Sequence, residues 1–159
     1  MNNKVCVFFG HREIKGQENL RERLLVLVEE LIREKEFGVF LFGGFGEFDE
    51  LCHTVVSKLK EKYPAIKRVF CLNDERHLRK EKRPKYLRDE DYEEFTYLPL
   101  DYNYWYTRIY YRNCEMIDRS DYAIFYAEQK KESGAYKALQ YAQKKKKPHS
   151  NLFYEKPTV

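Results

Sequence analysis

The sequence lacks the patterns that identify metal-binding, membrane-spanning or strongly charged proteins. It has four cysteines in 159 residues but no Cys-x-x-Cys pair, so the common structural metal motifs are absent. No apolar run approaches the ~20 residues that a membrane-spanning helix needs. The net charge is only +4, from 30 basic and 26 acidic residues, which gives no general attraction to nucleic acid or membranes. We therefore expect no metal, no cofactor and no membrane partner.

The cysteines are far apart in the sequence, and most lie in apolar runs or in segments with helical periodicity. Cys6, Cys52, Cys71 and Cys114 are therefore predicted to be reduced residues of the hydrophobic core, where small thiols are common. The N-terminal residues lead directly into a strand-like segment. These features predict a cytoplasmic protein, and assembly into homo-oligomers is left open.

Short apolar runs alternate with segments of helical periodicity. The runs are almost continuously hydrophobic, which is typical of parallel strands covered on both faces. The helical segments carry apolar residues at spacings of three and four, and Gly38 is predicted to mark the end of the first helix. The predicted strands are 5–9, 39–42, 69–72, 122–126 and 151–154, and the predicted helices begin near Leu20, Phe48, Trp105 and Ser133.

This alternation predicts an α/β fold. We expect a single domain, residues 1–159, with a Rossmann-like, doubly wound and mostly parallel sheet and helices on both faces. A chain of this length can bury a substantial core. In such folds the ligand site lies beyond the carboxyl ends of the strands.

A charged excursion interrupts the pattern at about residues 73–101. Its first half, Arg76 to Arg88, is mostly basic, and Asp89 to Glu94 is mostly acidic. A short helix or an edge strand is predicted around Phe95 to Leu98. The basic stretch could bind nucleic acid, but aromatic residues are few there and the acidic run offers an intramolecular partner. We favour a solvated or lid-like excursion and keep nucleic acid as an alternative partner.

The segment Gly43 to Asp49 lies between the second apolar run and a helical segment. A glycine-rich turn at this position brings backbone N–H groups and the positive end of a helix toward one point, which favours an anion. It is neither a Walker motif nor a Gly-x-Gly-x-x-Gly fingerprint. Two other loops, Gly10 to Arg12 and Ser133-Gly134, are predicted to meet it on the same edge of the sheet. Together they predict a site for a phosphate-bearing ligand.

Four separate motifs also resemble a known family. They are similar, in content and order, to the SLOG superfamily of Rossmann-like domains, which includes DNA-processing protein A and the Lonely Guy phosphoribohydrolases. They are most similar to its small bacterial and phage YpsA-like members. The resemblance is weakest between residues 74 and 104. The motifs are Val7 to Arg12, Phe42 to Asp49, Arg112 to Asp121, and Ser133 to Ala135 followed by Tyr141-Ala142.

The resemblance implies that the protein binds a nucleotide or nucleotide-derived small molecule, for example as a sensor. Arg112 would hold phosphate through paired, charge-assisted hydrogen bonds. The competing interpretations are a surface Arg112 paired with Glu115 or Asp118, and an Asn113 amide exposed on the helix. Ser133 could equally be a helix N-cap. The expected ligand-binding residues are Gly10, His11, Arg12, Gly43, Gly44, Gly46, Arg112, Asn113, Ser133 and Gly134.

An enzymatic role is the first alternative, namely hydrolysis of a nucleotide N-glycosidic bond. In the phosphoribohydrolases a glutamate follows the glycine-rich loop, whereas Gln140 stands at the matching position here. Glu47 and Asp49 are then the candidate acids, with Arg112 neutralising phosphate. Acids are also favoured in any first helical turn by the helix dipole. Whether the protein is an enzyme stays open, and single-stranded nucleic-acid binding is the second alternative.

Overall fold

A computed structural model describes residues 2–15, 19–99, 105–129 and 132–154, with residues 105 and 106 described by their backbone alone. Residues 100 and 101, at the end of the predicted excursion, lie outside this part. The strands are β1 (Lys4–Gly10), β2 (Phe37–Phe42), β3 (Lys67–Leu72), β4 (Glu94–Tyr97), β5 (Tyr122–Tyr126) and β6 (His149–Asn151). The helices are α1 (Leu20–Lys35), α2 (Glu47–Lys62), α3 (Trp105–Asp118) and α4 (Gly134–Lys144), with short 3-10 helices at Glu75–Leu78, Lys80–Lys82 and Asp89–Asp91.

The described strands form a six-stranded sheet in the order β4-β3-β2-β1-β5-β6. Every neighbouring pair is parallel, which confirms the predicted Rossmann-like α/β fold. The chain moves outward from β1 to β4 and returns to β5 on the other side of β1. The strand order therefore reverses between β1 and β5, and such a reversal opens a crevice at the carboxyl ends of these strands.

Apolar side chains cover both faces of the sheet. In β1, Cys6 and Phe8 point to the α1 and α2 side, whereas Val7 and Phe9 point to the α3 and α4 side. Because successive residues of a strand face opposite sides, a strand between two helical layers needs apolar residues throughout. This explains the continuous hydrophobic runs in the sequence. The four cysteines are free and buried, as predicted.

Gly10 sets the distance between the end of β1 and helix α2. A Cβ atom at Gly10 would lie 2.2 Å from Cδ2 of Phe48, a side chain that is fully buried. We expect Gly10→Ala to lower the free energy of unfolding by about 1–3 kcal/mol, because the core must shift to admit the methyl group. Urea unfolding followed by circular dichroism measures the change. Gly134→Ala is the matched control, since a Cβ there meets no atom within 4 Å. Equal stability of both variants would contradict the prediction.

Two predicted boundaries are wrong. Helix α1 ends at Lys35 and not at Gly38, because Glu36 adopts a left-handed conformation with φ of 65° and its N–H donates to the carbonyl of Leu31. Gly38 lies inside β2. The last strand is His149–Asn151 and not 151–154, since the chain turns at residues 152–154.

The charged excursion is folded and contains the predicted edge strand, β4. Several of its basic residues form ion pairs within the segment, among them Arg76 with Asp74 at 2.7 Å and Lys80 with Asp89 at 2.8 Å. The Arg83 guanidinium lies 3.7 Å from the ring centre of Phe95 and also pairs with Asp89. Part of the positive charge of this segment is therefore neutralised locally. None of the described helices is long and apolar enough to cross a membrane.

Candidate functional site

A cavity of about 310 Å³ opens at the carboxyl edge of the sheet, beside the reversal of strand order. It is lined by the loops that follow β1, β2 and β3, by the start of α4 and by one face of α3. The structure thus brings most of the predicted site residues together around one space. They are Gly10, His11, Arg12, Gly43, Gly44, Asp49, Arg112, Asn113, Ser133 and Gly134.

Arg112 is buried on the wall of this cavity, with only 3% of its surface exposed. Its Nη1 donates to the carbonyl of Cys71 at 3.2 Å and its Nη2 donates to Oδ1 of Asn113 at 3.0 Å. Its Nε is buried and has no hydrogen-bond partner among the described residues. Burial lowers the pKa of Arg112 to about 10, while Cys71 and Asp49 act in the opposite direction. The guanidinium is therefore charged at neutral pH and has an unused donor.

The competing interpretations of Arg112 and Asn113 as surface residues are wrong. Glu115 pairs with Arg119 at 3.1 Å, and Asp118 accepts a hydrogen bond from the Tyr141 hydroxyl. Asn113 is buried, and its side chain fixes one nitrogen of the guanidinium. Asn113 therefore positions Arg112 at the cavity wall.

Gly43 allows the guanidinium to approach the backbone of the glycine-rich loop. A Cβ atom at Gly43 would lie 3.1 Å from Cζ of Arg112 and equally close to Cε of Met116. Any larger residue would push the guanidinium away from the loop. This explains why a glycine suits the end of β2.

Asp49 is half-buried and faces both the cavity and the glycine-rich loop. Burial raises its pKa to about 6, although the positive charge of Arg112 and a hydrogen bond from the backbone of Gly44 lower it. Gly44 leaves room for this contact, because a Cβ there would lie 2.7 Å from Oδ2 of Asp49. The loop therefore already holds a carboxylate of the protein itself. That carboxylate opposes the binding of a second anion unless it is protonated.

Gly46 and Glu47 are predicted site residues that do not line this cavity. The Glu47 carboxylate accepts the N–H of Ile14 at 3.2 Å, and the Glu47 N–H donates to the carbonyl of Arg12 at 2.8 Å. Gly46 has φ of 120°, and a Cβ there would lie 2.5 Å from Cα of Arg12. Both residues hold the loop after β1 against the start of α2.

His11 and Ser133 make hydrogen bonds at the cavity edge. The ring Nε2 of His11 accepts the N–H of Glu128 at 2.7 Å, which joins the loops after β1 and β5. Ser133 is the N-cap of α4, since its Oγ accepts the N–H of Tyr136 at 3.1 Å. A hydroxyl that accepts this bond can still donate its own hydrogen to a ligand. Arg12 is exposed at the rim.

Some lining residues were not predicted from the sequence. Asn73 follows β3 directly, and its buried Oδ1 has no hydrogen-bond partner among the described residues. Loops that follow parallel strands lie at the same edge of the sheet, so the reasoning that placed the loops after β1 and β2 at the site applies equally to Asn73. Ile109, on α3, is 42% exposed and lines the cavity. Phe45, on the glycine-rich loop, is 53% exposed.

No group of three or more His, Cys, Asp or Glu side chains in the described part of the chain is arranged to bind a metal ion. The polar groups at the cavity are one buried and one exposed guanidinium, glycine-rich backbone, the N-terminus of α4, an imidazole, a hydroxyl, one carboxylate and two amides. Guanidinium and helix-terminal N–H groups are the donors that bind phosphate in proteins. The arrangement is suited to an anion that is attached to a larger molecule.

The fold and the cavity at its carboxyl edge define a Rossmann-like α/β protein. No protein-family model matches the sequence, and a search of curated proteins finds no relative. Three solved structures have similar folds, each covering 92% of this chain. DNA processing protein A from Helicobacter pylori matches with a TM-score of 0.60 and a sequence identity of 17%. The protein TM1055 matches with a TM-score of 0.56 and an identity of 18%. DNA processing protein A from Streptococcus pneumoniae matches with a TM-score of 0.57 and an identity of 15%.

The chain therefore shares the Rossmann-like fold of these three proteins, and the resemblance to the SLOG superfamily and to its YpsA-like members stays a prediction. It spans 63% and 48% of the two DNA processing proteins and 72% of TM1055. The Helicobacter pylori protein binds single-stranded DNA.

Proposed function

We propose that this protein binds a nucleotide or nucleotide-derived small molecule in the cavity at the carboxyl edge of the sheet. One observation carries the proposal: Arg112 is buried, charged and fixed by two hydrogen bonds, while its Nε faces no partner among the described residues. Keeping such a donor away from water is costly unless a ligand satisfies it. Arg112 lines the cavity, where a phosphate group would pair with its charge.

The other phosphate contacts would come from the start of α4. Gly134 is the first residue of α4 and is exposed, so its N–H and that of the next residue are available at the positive end of an 11-residue helix. Ser133 lies on the same cavity, and its hydroxyl can donate to a ligand. The ligand would thus meet the buried charge of Arg112, the exposed charge of Arg12 and the donors at the start of α4. A role as a nucleotide sensor is consistent with this set.

Hydrolysis of an N-glycosidic bond remains an alternative, and Asp49 is the acid best placed for it. A carboxyl group whose pKa is about 6 can donate a proton near neutral pH. Glu47 is engaged by Ile14 outside the cavity, and Gln140 lies in a separate groove between α3 and α4. An enzyme of this kind would depend on Asp49 and Arg112.

Binding of single-stranded nucleic acid is a second alternative, favoured by the structural similarity to DNA processing protein A. The charged excursion gives it weak support, because Arg76, Lys80 and Arg83 are paired with acids of the same segment. Binding through phosphate contacts would be strongly weakened by salt.

Isothermal titration calorimetry with AMP, ribose 5-phosphate and adenosine tests the proposal. We expect the two phosphates to bind and adenosine to bind at least tenfold more weakly, since it lacks the charged group. Chromatography of the mixtures is expected to show no free adenine. Release of adenine would favour the hydrolase, and salt-sensitive binding of a single-stranded oligonucleotide without AMP binding would favour the second alternative. Equal affinity for AMP and adenosine would refute an anion site.

A further inference from the structure

A second cavity, of about 330 Å³, lies on the opposite side of the glycine-rich loop. Gly44, Phe45 and Asp49 line both cavities, so this part of the loop is a common wall. The other walls of the second cavity come from α2, β3 and the charged excursion. The proposed phosphate site therefore has a neighbouring compartment within reach of the same ligand.

Aromatic rings dominate this second cavity. Phe45 and Tyr86 are 53% and 60% exposed and meet at its edge, with ring centres 5.6 Å apart. Because one ring belongs to the loop after β2 and the other to the charged excursion, the pair joins the two segments. A planar ligand can stack on such rings with little loss of conformational freedom. The aromatic lining residues are Phe42, Phe45, Phe70, Tyr86 and Tyr92.

The charges at the two cavities are opposite. Arg12 and Arg112 line the first, whereas no lysine or arginine is among the described residues that line the second. The second is lined instead by the acids Asp49, Glu50 and Asp91. Carboxylates and carbonyls accept hydrogen bonds and repel anions. This cavity therefore suits a flat ring that carries hydrogen-bond donors and no negative charge.

We propose that the second cavity binds the base of the ligand whose phosphate lies against Arg112, and that it prefers a base with an exocyclic amino group. This inference rests on the proposed nucleotide site. The sugar would pass over Gly44 and Phe45, the wall that the cavities share. Stacking on Phe45 and Tyr86 provides affinity for the ring, and the acceptors Asp49 and Glu50 discriminate between an amino group and a carbonyl at its edge.

Calorimetry with AMP, IMP and ribose 5-phosphate on the whole protein tests this inference. AMP should bind about tenfold more tightly than ribose 5-phosphate, because one stacked base adds contacts of that size. It should also bind about tenfold more tightly than IMP, whose ring has a carbonyl in place of the amino group and would face the carboxylates.

Tyr86→Ala is expected to remove the advantage of AMP over ribose 5-phosphate and to leave the affinity for ribose 5-phosphate within twofold. Leu78→Ala, an exposed apolar side chain of the same segment, is the matched control and should change neither affinity. If AMP and ribose 5-phosphate bind with equal affinity, and Tyr86→Ala changes neither affinity, the second cavity does not bind the base, whereas the phosphate site is retained. Binding of neither compound would overturn both proposals, and tighter binding of IMP would overturn the amino-group preference.

Discussion

Replacing Arg112 with glutamine is expected to weaken the binding of AMP and of ribose 5-phosphate by about 100-fold or more. The guanidinium is the buried positive charge at the cavity, and its Nε is a buried donor without a partner among the described residues. Loss of one partner from a buried, hydrogen-bonded charge pair costs roughly 2–5 kcal/mol. Because both compounds share the phosphate, the loss should be similar for both. Calorimetry at constant pH and salt measures it.

Two further variants identify the cause of the loss. Arg119→Gln removes a positive charge directly after the end of α3, at an exposed site paired with Glu115, and should leave binding within twofold. Arg112→Lys keeps the charge and loses the forked geometry, so we expect an intermediate loss of about tenfold. Thermal unfolding followed by circular dichroism checks that each variant is folded. A folded Arg112→Gln protein with unchanged affinity would refute the phosphate site.

Replacing Asp49 with asparagine is expected to strengthen phosphate binding at pH 7.5 by about tenfold. At that pH the carboxyl is ionised, because its pKa of about 6 lies below the pH. A negative charge a few ångströms from a phosphate costs roughly 1–2 kcal/mol at a partly exposed site, which the amide avoids. In the unchanged protein, affinity should rise as pH falls toward 6, and this dependence should be weaker in the variant. Glu61→Gln, an exposed acid of the same helix that lines neither cavity, is the matched control.

The same substitution should also stabilise the fold at neutral pH. Burial raises the pKa of Asp49 from its ordinary value of 3.8 to about 6, so between these values the folded state binds more protons than the unfolded state. The free energy of unfolding therefore falls as pH rises through this window. We expect Asp49→Asn to gain about 2 kcal/mol at pH 7.5 and to lose the slope between pH 4 and 6. Lower stability at pH 7.5 would contradict the unfavourable ionisation of Asp49.

The Asp49 variant also separates a sensor from a hydrolase. A protein that only binds should bind phosphate compounds more tightly with asparagine at this position. A hydrolase that uses Asp49 as its acid should bind more tightly and lose adenine release. Chromatography of AMP incubated with each protein distinguishes the two.

The fold could be predicted from the sequence because each buried strand is hydrophobic throughout and each helix carries one apolar stripe. The end of α1 could not, since a non-glycine residue, Glu36, takes the left-handed position there, while Gly38 continues into the strand. Local sequence favours glycine at such an end, and only the contacts of β2 with β1 show otherwise.

The sequence predicts which loops form the site better than it predicts which side chains face the cavity. Parallel strand ends share one edge, so the glycine-rich loops could be placed together. Glu47 and Asp49 could not be told apart by composition, yet two residues along a helix are separated by about 200°, so both cannot face the same cavity. The second cavity depends on the contact between Phe45 and Tyr86, which are 41 positions apart. No local pattern predicts that contact.

The four buried thiols can report on local opening of the native protein. Cys6, Cys52, Cys71 and Cys114 lie in β1, α2, β3 and α3, so each belongs to a different element. Burial raises the pKa of Cys71 to about 12, which keeps this thiol protonated and unreactive until its surroundings open. Its carbonyl also holds Arg112. The alkylation rate at Cys71 would therefore measure how often the structure around Cys71 and Arg112, at the wall of the cavity, opens locally. The measurement needs no probe attached to the protein beforehand.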